Sequence, residues 1–94
     1  MTHIEGVMHY YKLALDELMD AQKYQKLAHG AEDGGAKQLF HELALQELQH
    51  EKMLCEKAQA LATAQGASED LHEIWHHLKQ HLEDWREDIK KKLG

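Results

Sequence analysis

Apolar residues recur along this chain at the alternating three- and four-residue spacing that is typical of amphipathic α-helices. Two breaks that contain glycine, at residues 30–35 and 65–68, interrupt the pattern. They separate three predicted helices, at about 4–29, 36–64 and 69–93. Ser68 suits the capping position before the third of these helices. The pattern therefore predicts an all-α protein with a single domain over residues 1–94.

The apolar stripe of each of the first two predicted helices is interrupted by a carboxylate. Glu17 lies in the middle of the first stripe, and Glu47 lies in the second with His50 at its edge. Residues 30–35 are too few to do more than fold the two helices into an antiparallel hairpin, over about 4–64. In a hairpin, residues at equal distances from the turn lie level, and 17 and 47 average to 32, inside the turn. Glu17 and Glu47 are therefore predicted to face each other, with His50 close by.

A facing pair of carboxylates between two helices is the arrangement of a metal site. Two such groups repel each other and are costly to bury unless a cation binds them. Glu together with Glu-x-x-His is half of the site in di-iron and di-manganese proteins, where four helices supply the complete set. Glu17 and the Glu47-Leu48-Gln49-His50 segment match that half-site. The predicted ligands are Glu17, Glu47 and His50, a donor set that suits iron or manganese and tolerates zinc.

A half-site needs a second copy of the chain to complete it. Two hairpins that meet face to face would form a ferritin-like four-helix bundle with both sets of ligands. The predicted third helix carries an uninterrupted apolar stripe with no obvious place on a lone hairpin (Leu71, Trp75, Leu78, Leu82, Trp85 and Ile89). A chain of 94 residues also buries little apolar surface alone. We therefore expect a homodimer or a larger homo-oligomer.

Several other polar residues have simpler explanations. Two further Glu-x-x-His copies begin at Glu69 and Glu73, but they lie off the apolar stripe of the third predicted helix. The i, i+4 histidine pairs of that helix are predicted to be solvated (His72 with His76, His77 with His81). Glu51 is interpreted as an exposed or hydrogen-bonded acid at the edge of its stripe rather than as a further ligand. Cys55 is expected to be a small buried thiol, because the chain has no second cysteine to pair with it.

The charge balance argues against several classes of protein. Eleven Lys and Arg against seventeen Asp and Glu give a net charge of −6, whereas nucleic-acid binding needs a concentrated basic surface. Apolar runs reach at most three residues, so no membrane span is predicted. The opening segment Met-Thr-His-Ile-Glu-Gly lacks the basic and apolar blocks of a signal peptide. The expected location is the cytoplasm, with no nucleic-acid or membrane partner.

The glutamate and histidine pattern resembles that of the encapsulated ferritin-like proteins and, more loosely, that of the half-ferritins related to rubrerythrin. The likeness covers about residues 10–62 and rests on Glu17, Tyr24 and the Glu47-x-x-His50 segment, with thirty residues from the first glutamate to the second. The resemblance implies that the three predicted ligands bind iron and that Tyr24 lies beside them with a role in catalysis. Aromatic packing between helices is the alternative explanation of Tyr24.

The same resemblance implies a function and a set of partners. In that family, dimers complete a ferroxidase centre at their interface and assemble into rings that are stored inside an encapsulin nanocompartment. The expected activity is oxidation of Fe(II) to Fe(III) by O2 or peroxide, for iron storage or detoxification. Two alternatives remain open: a rubrerythrin-like peroxide reductase that uses the same ligands, and a metal-free helical oligomerisation module.

Overall fold

Over residues 2–94, which this computed structural model describes, the chain forms three α-helices and no β-strand. The helices are α1 (His3–Gly30), α2 (Gly34–Ala62) and α3 (Glu69–Leu93). Each predicted helix boundary lies within two residues of the observed one, and the prediction of an all-α chain is confirmed. No helix in this part of the chain has the length and hydrophobicity that a membrane span needs.

Each helix begins at a side chain that caps its first turn. Thr2, Asp33 and Ser68 each accept a hydrogen bond from the backbone N–H three residues later, at 3.2, 2.8 and 3.1 Å. A cap of this kind satisfies one of the N–H groups that a helix N-terminus leaves without a partner, and it stabilises a helix by about 1 kcal/mol. The predicted cap at Ser68 is confirmed, and the three caps explain where the helices begin.

α1 and α2 pack against each other along their length. Small side chains on both helices are fully buried: Ala14 and Ala21 on α1, and Ala44 and Ala58 on α2. The ring of Tyr24 stacks on the ring of Phe40 with 6.3 Å between centroids, and Glu17 Oε2 lies 3.5 Å from His50 Nδ1. Because residue numbers rise along α1 while those of their contacts fall along α2, the two helices run in opposite directions.

α3 covers one side of the α1–α2 pair. Its apolar stripe is buried at Leu71, Trp75, Leu82 and Ile89 and half-buried at Leu78 and Trp85. Trp75 Nε1 donates a hydrogen bond of 2.6 Å to Gln59 Oε1 on α2, and Trp85 Nε1 donates one of 2.8 Å to Gln22 Oε1 on α1. The two tryptophans therefore attach α3 to both of the other helices.

The position of α3 corrects one expectation from the sequence. Its apolar stripe was expected to have no obvious place on a single α1–α2 pair, yet it packs there within one chain. The physical reason is that each of the two first helices is apolar on more than one face, so that α1 contributes Leu18 and α2 contributes Leu48 to a core that α3 completes. The stripe of α3 is thus not an argument for self-association.

Candidate metal centre

Glu17, Glu47 and His50 come together on the side of the α1–α2 pair that α3 leaves uncovered. One ligand atom from each residue can be chosen so that all three lie within 4.8 Å of one another. His50 Nδ1 is 3.5 Å from Glu17 Oε2 and 3.8 Å from Glu47 Oε1. Among residues 2–94, no other set of three or more His, Cys, Asp and Glu residues is grouped in this way. We call these three residues the metal cluster.

The positions of the cluster residues follow from the two helices. Glu47 and His50 lie three residues apart on α2, so their side chains project from nearly the same face of that helix. Glu17 lies level with them because α1 runs in the opposite direction. The side chain of Glu47 is 19% exposed, whereas that of His50 is 55% exposed. The carboxylates therefore lie between the helices, and the imidazole lies at the rim toward solvent.

One oxygen of the cluster lacks a hydrogen bond. With both carboxylates ionised, Glu17 Oε2 is fully buried and has no hydrogen-bond partner, a state that no other side-chain oxygen or nitrogen of the described chain shares. The 3.5 Å separation from His50 Nδ1 is too long and too poorly aligned to count as a hydrogen bond. A buried acceptor without a donor costs about 1–3 kcal/mol. Either a proton or a cation at this oxygen would remove that cost.

The electrostatics of the cluster favour binding of a positive species. A side-chain hydrogen bond with Glu17, the loss of water around Glu47 and the negative charge of Glu17 raise the pKa of Glu47 to about 7. The charge of His50 opposes the rise, and that of Asp20 adds to it. The two carboxylates therefore hold a proton up to near-neutral pH in the absence of metal, and a divalent cation would compete with that proton for the same oxygens.

The donor set fits a transition metal. Two carboxylates and one imidazole are ligands that iron and manganese accept, and zinc tolerates the same set. Three protein ligands from one chain leave further coordination positions open toward the uncovered side. On that side Glu17 and His50 border a shallow depression of about 370 Å³ whose other lining residues come from α1 and α2 alone: Tyr10, Met53, Leu54 and Lys57. We call this surface the open face.

Tyr24 packs between the helices rather than within the metal cluster. Its ring stacks on Phe40 at an interplanar angle of 16°, and Lys23 Nζ lies 5.0 Å from the ring centroid. These contacts are the aromatic packing that the sequence allowed as an explanation of this residue. Tyr10, in contrast, borders the depression beside Glu17. The catalytic role of Tyr24 stays a prediction.

A buried ion pair joins α2 to α3 one helical turn along α2 from Glu47. Glu51 is fully buried, and Arg86 of α3 donates to both of its oxygens: Nε to Oε1 at 2.7 Å and Nη2 to Oε2 at 2.9 Å. Burial raises the pKa of the Glu51 carboxyl, and the hydrogen bond and charge of Arg86 oppose the rise. Of the two sequence interpretations of Glu51, the hydrogen-bonded acid is confirmed and the exposed acid is wrong.

The role of Arg86 was missed at the level of sequence. A signal for it exists, because Arg86 is the only arginine of the chain and follows Trp85 on the apolar stripe of α3. A long cation next to such a stripe is placed to reach a buried carboxylate. The histidines of α3 are exposed, as predicted: His72, His76, His77 and His81.

In comparisons with known proteins, no family model, no curated protein and no solved structure matches this chain. The resemblance to encapsulated ferritin-like proteins therefore stays a prediction that rests on the residues themselves.

Proposed function

We propose that this chain is an iron-binding protein that oxidises Fe(II) to Fe(III) at a centre formed between two copies. The observation that carries the proposal is the metal cluster, in which Glu17, Glu47 and His50 offer ligand atoms within 4.8 Å of one another. The buried Glu17 Oε2, which lacks a hydrogen bond, supports it further, because a metal ion would satisfy that oxygen. The electron that each Fe(II) loses passes to O2 or to peroxide.

The second copy is proposed because one chain supplies half of a dinuclear site. Two open faces in contact would bring two copies of each ligand together in a ferritin-like four-helix bundle. Four carboxylates would then balance the charge of two Fe(II) ions, and two neutral imidazoles would complete the ligand set. The exposed Met53 and half-buried Leu54 beside the cluster are apolar, and contact between two copies would remove them from water.

In this proposal the chain binds and orients Fe(II), which is the substrate. Glu17 and Glu47 supply the negative charge, and Glu47 releases its proton as the ion binds because its pKa lies near 7. His50, at the rim, binds as a neutral ligand. The iron supplies the redox chemistry when bound, and the helices fix the separation of the ligands.

The fate of Fe(III) defines the wider part of the proposal. A molecule of 52 × 21 × 14 Å does not enclose a mineral core, and neither does a pair of such molecules. Storage or detoxification of iron therefore requires a larger ring of copies or a separate shell. An encapsulin nanocompartment is the shell that we propose, on the basis of the sequence resemblance.

A metal-free oligomerisation module is the second candidate function. The feature that favours it is the pKa of Glu47, raised to about 7 chiefly by the hydrogen bond with Glu17, which keeps this carboxyl largely neutral below pH 7 without any metal. In that case the cluster is a polar contact within a helical assembly, and no iron binds stoichiometrically.

Anaerobic titration with Fe(II), followed by addition of O2 or of peroxide in turn, separates the two candidates. We expect about one Fe(II) per chain and a ferric absorbance that develops on addition of the oxidant. Glu17→Gln, Glu47→Gln and His50→Ala should each abolish stoichiometric oxidation, because each removes a ligand. His76→Ala is the matched control, because it removes an exposed histidine of α3. Equal losses in all four variants, or no stoichiometric binding in the unmodified chain, would contradict the proposal.

A further inference from the structure

A second polar pocket lies where the connection between α1 and α2 meets the end of α3. Its volume is about 140 Å³, and all three helices line it. The polar lining residues are Gln25 and His29 from α1, Lys37 and His41 from α2, and Lys92 from α3. We call it the turn-end pocket. None of these residues is acidic, although the whole chain carries a net charge of −6.

Gln25 is the buried polar group of the turn-end pocket. It is 7% exposed, and its side-chain amide makes no hydrogen bond to any group within residues 2–94. Neither amide atom is completely enclosed by protein, since Glu17 Oε2 is the one enclosed side-chain atom without a partner. Buried amides in proteins are hydrogen-bonded to protein, water or ligand. Water or a ligand in the pocket can therefore bind the Gln25 amide.

The other polar groups of the pocket are hydrogen-bond donors. Lys37 and Lys92 carry ammonium groups, and each neutral imidazole of His29 and His41 has one N–H. Lys92 Nζ lies 3.0 Å from Asp88 Oδ2, but both side chains are more than half exposed, so this ion pair is weak and readily exchanged. Donors of this kind from three helices match an acceptor with several oxygens and negative charge.

We propose that the turn-end pocket binds a small oxyanion of the phosphate type. A volume of about 140 Å³ lies below the roughly 300–1,000 Å³ of pockets that hold drug-sized ligands, so it suits a single small anion rather than a nucleotide. The two lysines disfavour a metal ion at the two histidines, because like charges repel. His29 follows Glu17 by twelve residues, about 18 Å along α1, so the anion would not touch the metal cluster. The inference is independent of the proposed ferroxidase activity.

Binding of inorganic phosphate to chelator-treated protein tests the proposal. Phosphate is titrated by calorimetry and by ³¹P line broadening, at constant ionic strength held with NaCl, and we expect saturable binding to one site per chain. Lys37→Gln should weaken phosphate binding about tenfold, because it removes a charge-assisted hydrogen bond. Lys37 is exposed, so its replacement does not change the packing of the core. Gln25→Leu should weaken it by a similar factor.

Two controls make the result decisive. Lys12→Gln removes an exposed lysine of α1 outside the pocket and should leave phosphate binding unchanged. The double variant Glu17→Gln/Glu47→Gln should also bind phosphate normally. If phosphate binding does not saturate, or if Lys12→Gln weakens it as much as Lys37→Gln, phosphate associates non-specifically with the lysines of the surface. The proposal is then wrong. Loss of binding in the double variant, with Lys37→Gln unaffected, would assign the phosphate to the metal cluster and also overturn it. Lys37→Gln decides the outcome even if Gln25→Leu does not fold.

Discussion

At the scale of single residues, Glu47 links the chemistry of the metal cluster to pH. Its pKa lies near 7 because of the hydrogen bond with Glu17, partial loss of water and the negative charge of Glu17. In the unfolded chain the same carboxyl would titrate near its usual value of 4.5. The folded chain therefore holds an extra proton between these two pH values, and this difference makes folding stability depend on pH.

We expect the metal-free protein to lose stability as the pH rises from about 4.5 to about 7 through this group. The sign follows from the raised pKa: the folded state binds the proton more tightly than the unfolded state, so removal of protons favours unfolding. Glu47→Gln should abolish this component, which is on the order of 1–3 kcal/mol. Urea unfolding with chelator at pH 5 and pH 8 measures it.

The matched control for that experiment is Glu56→Gln, which removes an exposed carboxylate of the same helix. It should retain the pH dependence of the unmodified chain. An unchanged pH dependence in Glu47→Gln would show that Glu17 and Glu47 do not share a proton in solution.

The metal cluster was predictable from sequence for reasons that are specific to its residues. Helical periodicity placed Glu17 and Glu47 on apolar stripes, and the short turn fixed which residues lie level. The distances and the partly buried state of the carboxylates needed the structure. The lack of a hydrogen bond at Glu17 Oε2 and the raised pKa of Glu47 both depend on the distance between α1 and α2. The spacing of apolar residues in the sequence does not determine that distance.

At the scale of elements, the Glu51–Arg86 pair ties α3 to α2. Breaking a buried ion pair by removal of one partner leaves an uncompensated charge, whereas replacing both partners with apolar residues is often neutral. The pair lies one helical turn from Glu47, on the side of α2 that faces α3. Arg86 therefore keeps Glu51 bound to α3 and away from the metal cluster.

We expect Arg86→Met to destabilise the protein by about 3–5 kcal/mol, because Glu51 would lose its partner while buried. The double variant Glu51→Leu/Arg86→Met should recover most of that loss. Lys90→Met is the control: it removes a cation of α3 that pairs with Glu87 on the exposed surface, where an ion pair contributes about 0–1 kcal/mol. Urea unfolding of the unmodified chain and the three variants measures these differences in stability. Equal effects of Arg86→Met and Lys90→Met would contradict the prediction.

The sequence predicted the three helices but not how α3 packs. Capping residues and glycine breaks are local signals, so helix ends such as that at Ser68 follow from a few neighbouring residues. The packing of α3 depends on which of two partly apolar faces of α1 and α2 it covers. The face that α3 covers is determined by contacts between residues far apart in sequence, such as Trp85 with Gln22. A local sequence pattern does not contain this information.

At the scale of the whole molecule, the chain is long and thin, with extents of 52 × 21 × 14 Å. α3 covers one side of the α1–α2 pair, and the open face on the other side carries both the metal cluster and apolar side chains. A surface that combines unsatisfied ligands with exposed apolar residues is suited to contact with a second copy of itself. We therefore expect self-association to use the open face rather than the apolar stripe of α3.

We expect Met53→Glu to weaken self-association at least about tenfold, because it places a charge in the centre of the proposed contact. Met53 is 59% exposed and borders the depression beside His50. Ile74→Glu is the matched control, since Ile74 is also apolar and exposed, at 43%, but lies on α3. Sedimentation equilibrium at micromolar concentration, with chelator and then with anaerobic Fe(II), gives the association constants.

Iron should strengthen the association of the unmodified chain, because a ligand that binds only the assembled form stabilises it in proportion to the logarithm of its free concentration.

A lower pH should have opposite effects on the metal-free and the iron-bound assemblies. Protonation of Glu47 relieves repulsion between carboxylates in the metal-free assembly, which should strengthen at pH 5, whereas protons displace iron from the same oxygens and should weaken the iron-bound assembly. A monomer that still oxidises iron stoichiometrically would contradict the shared centre. A larger effect of Ile74→Glu than of Met53→Glu would move the contact between copies to α3.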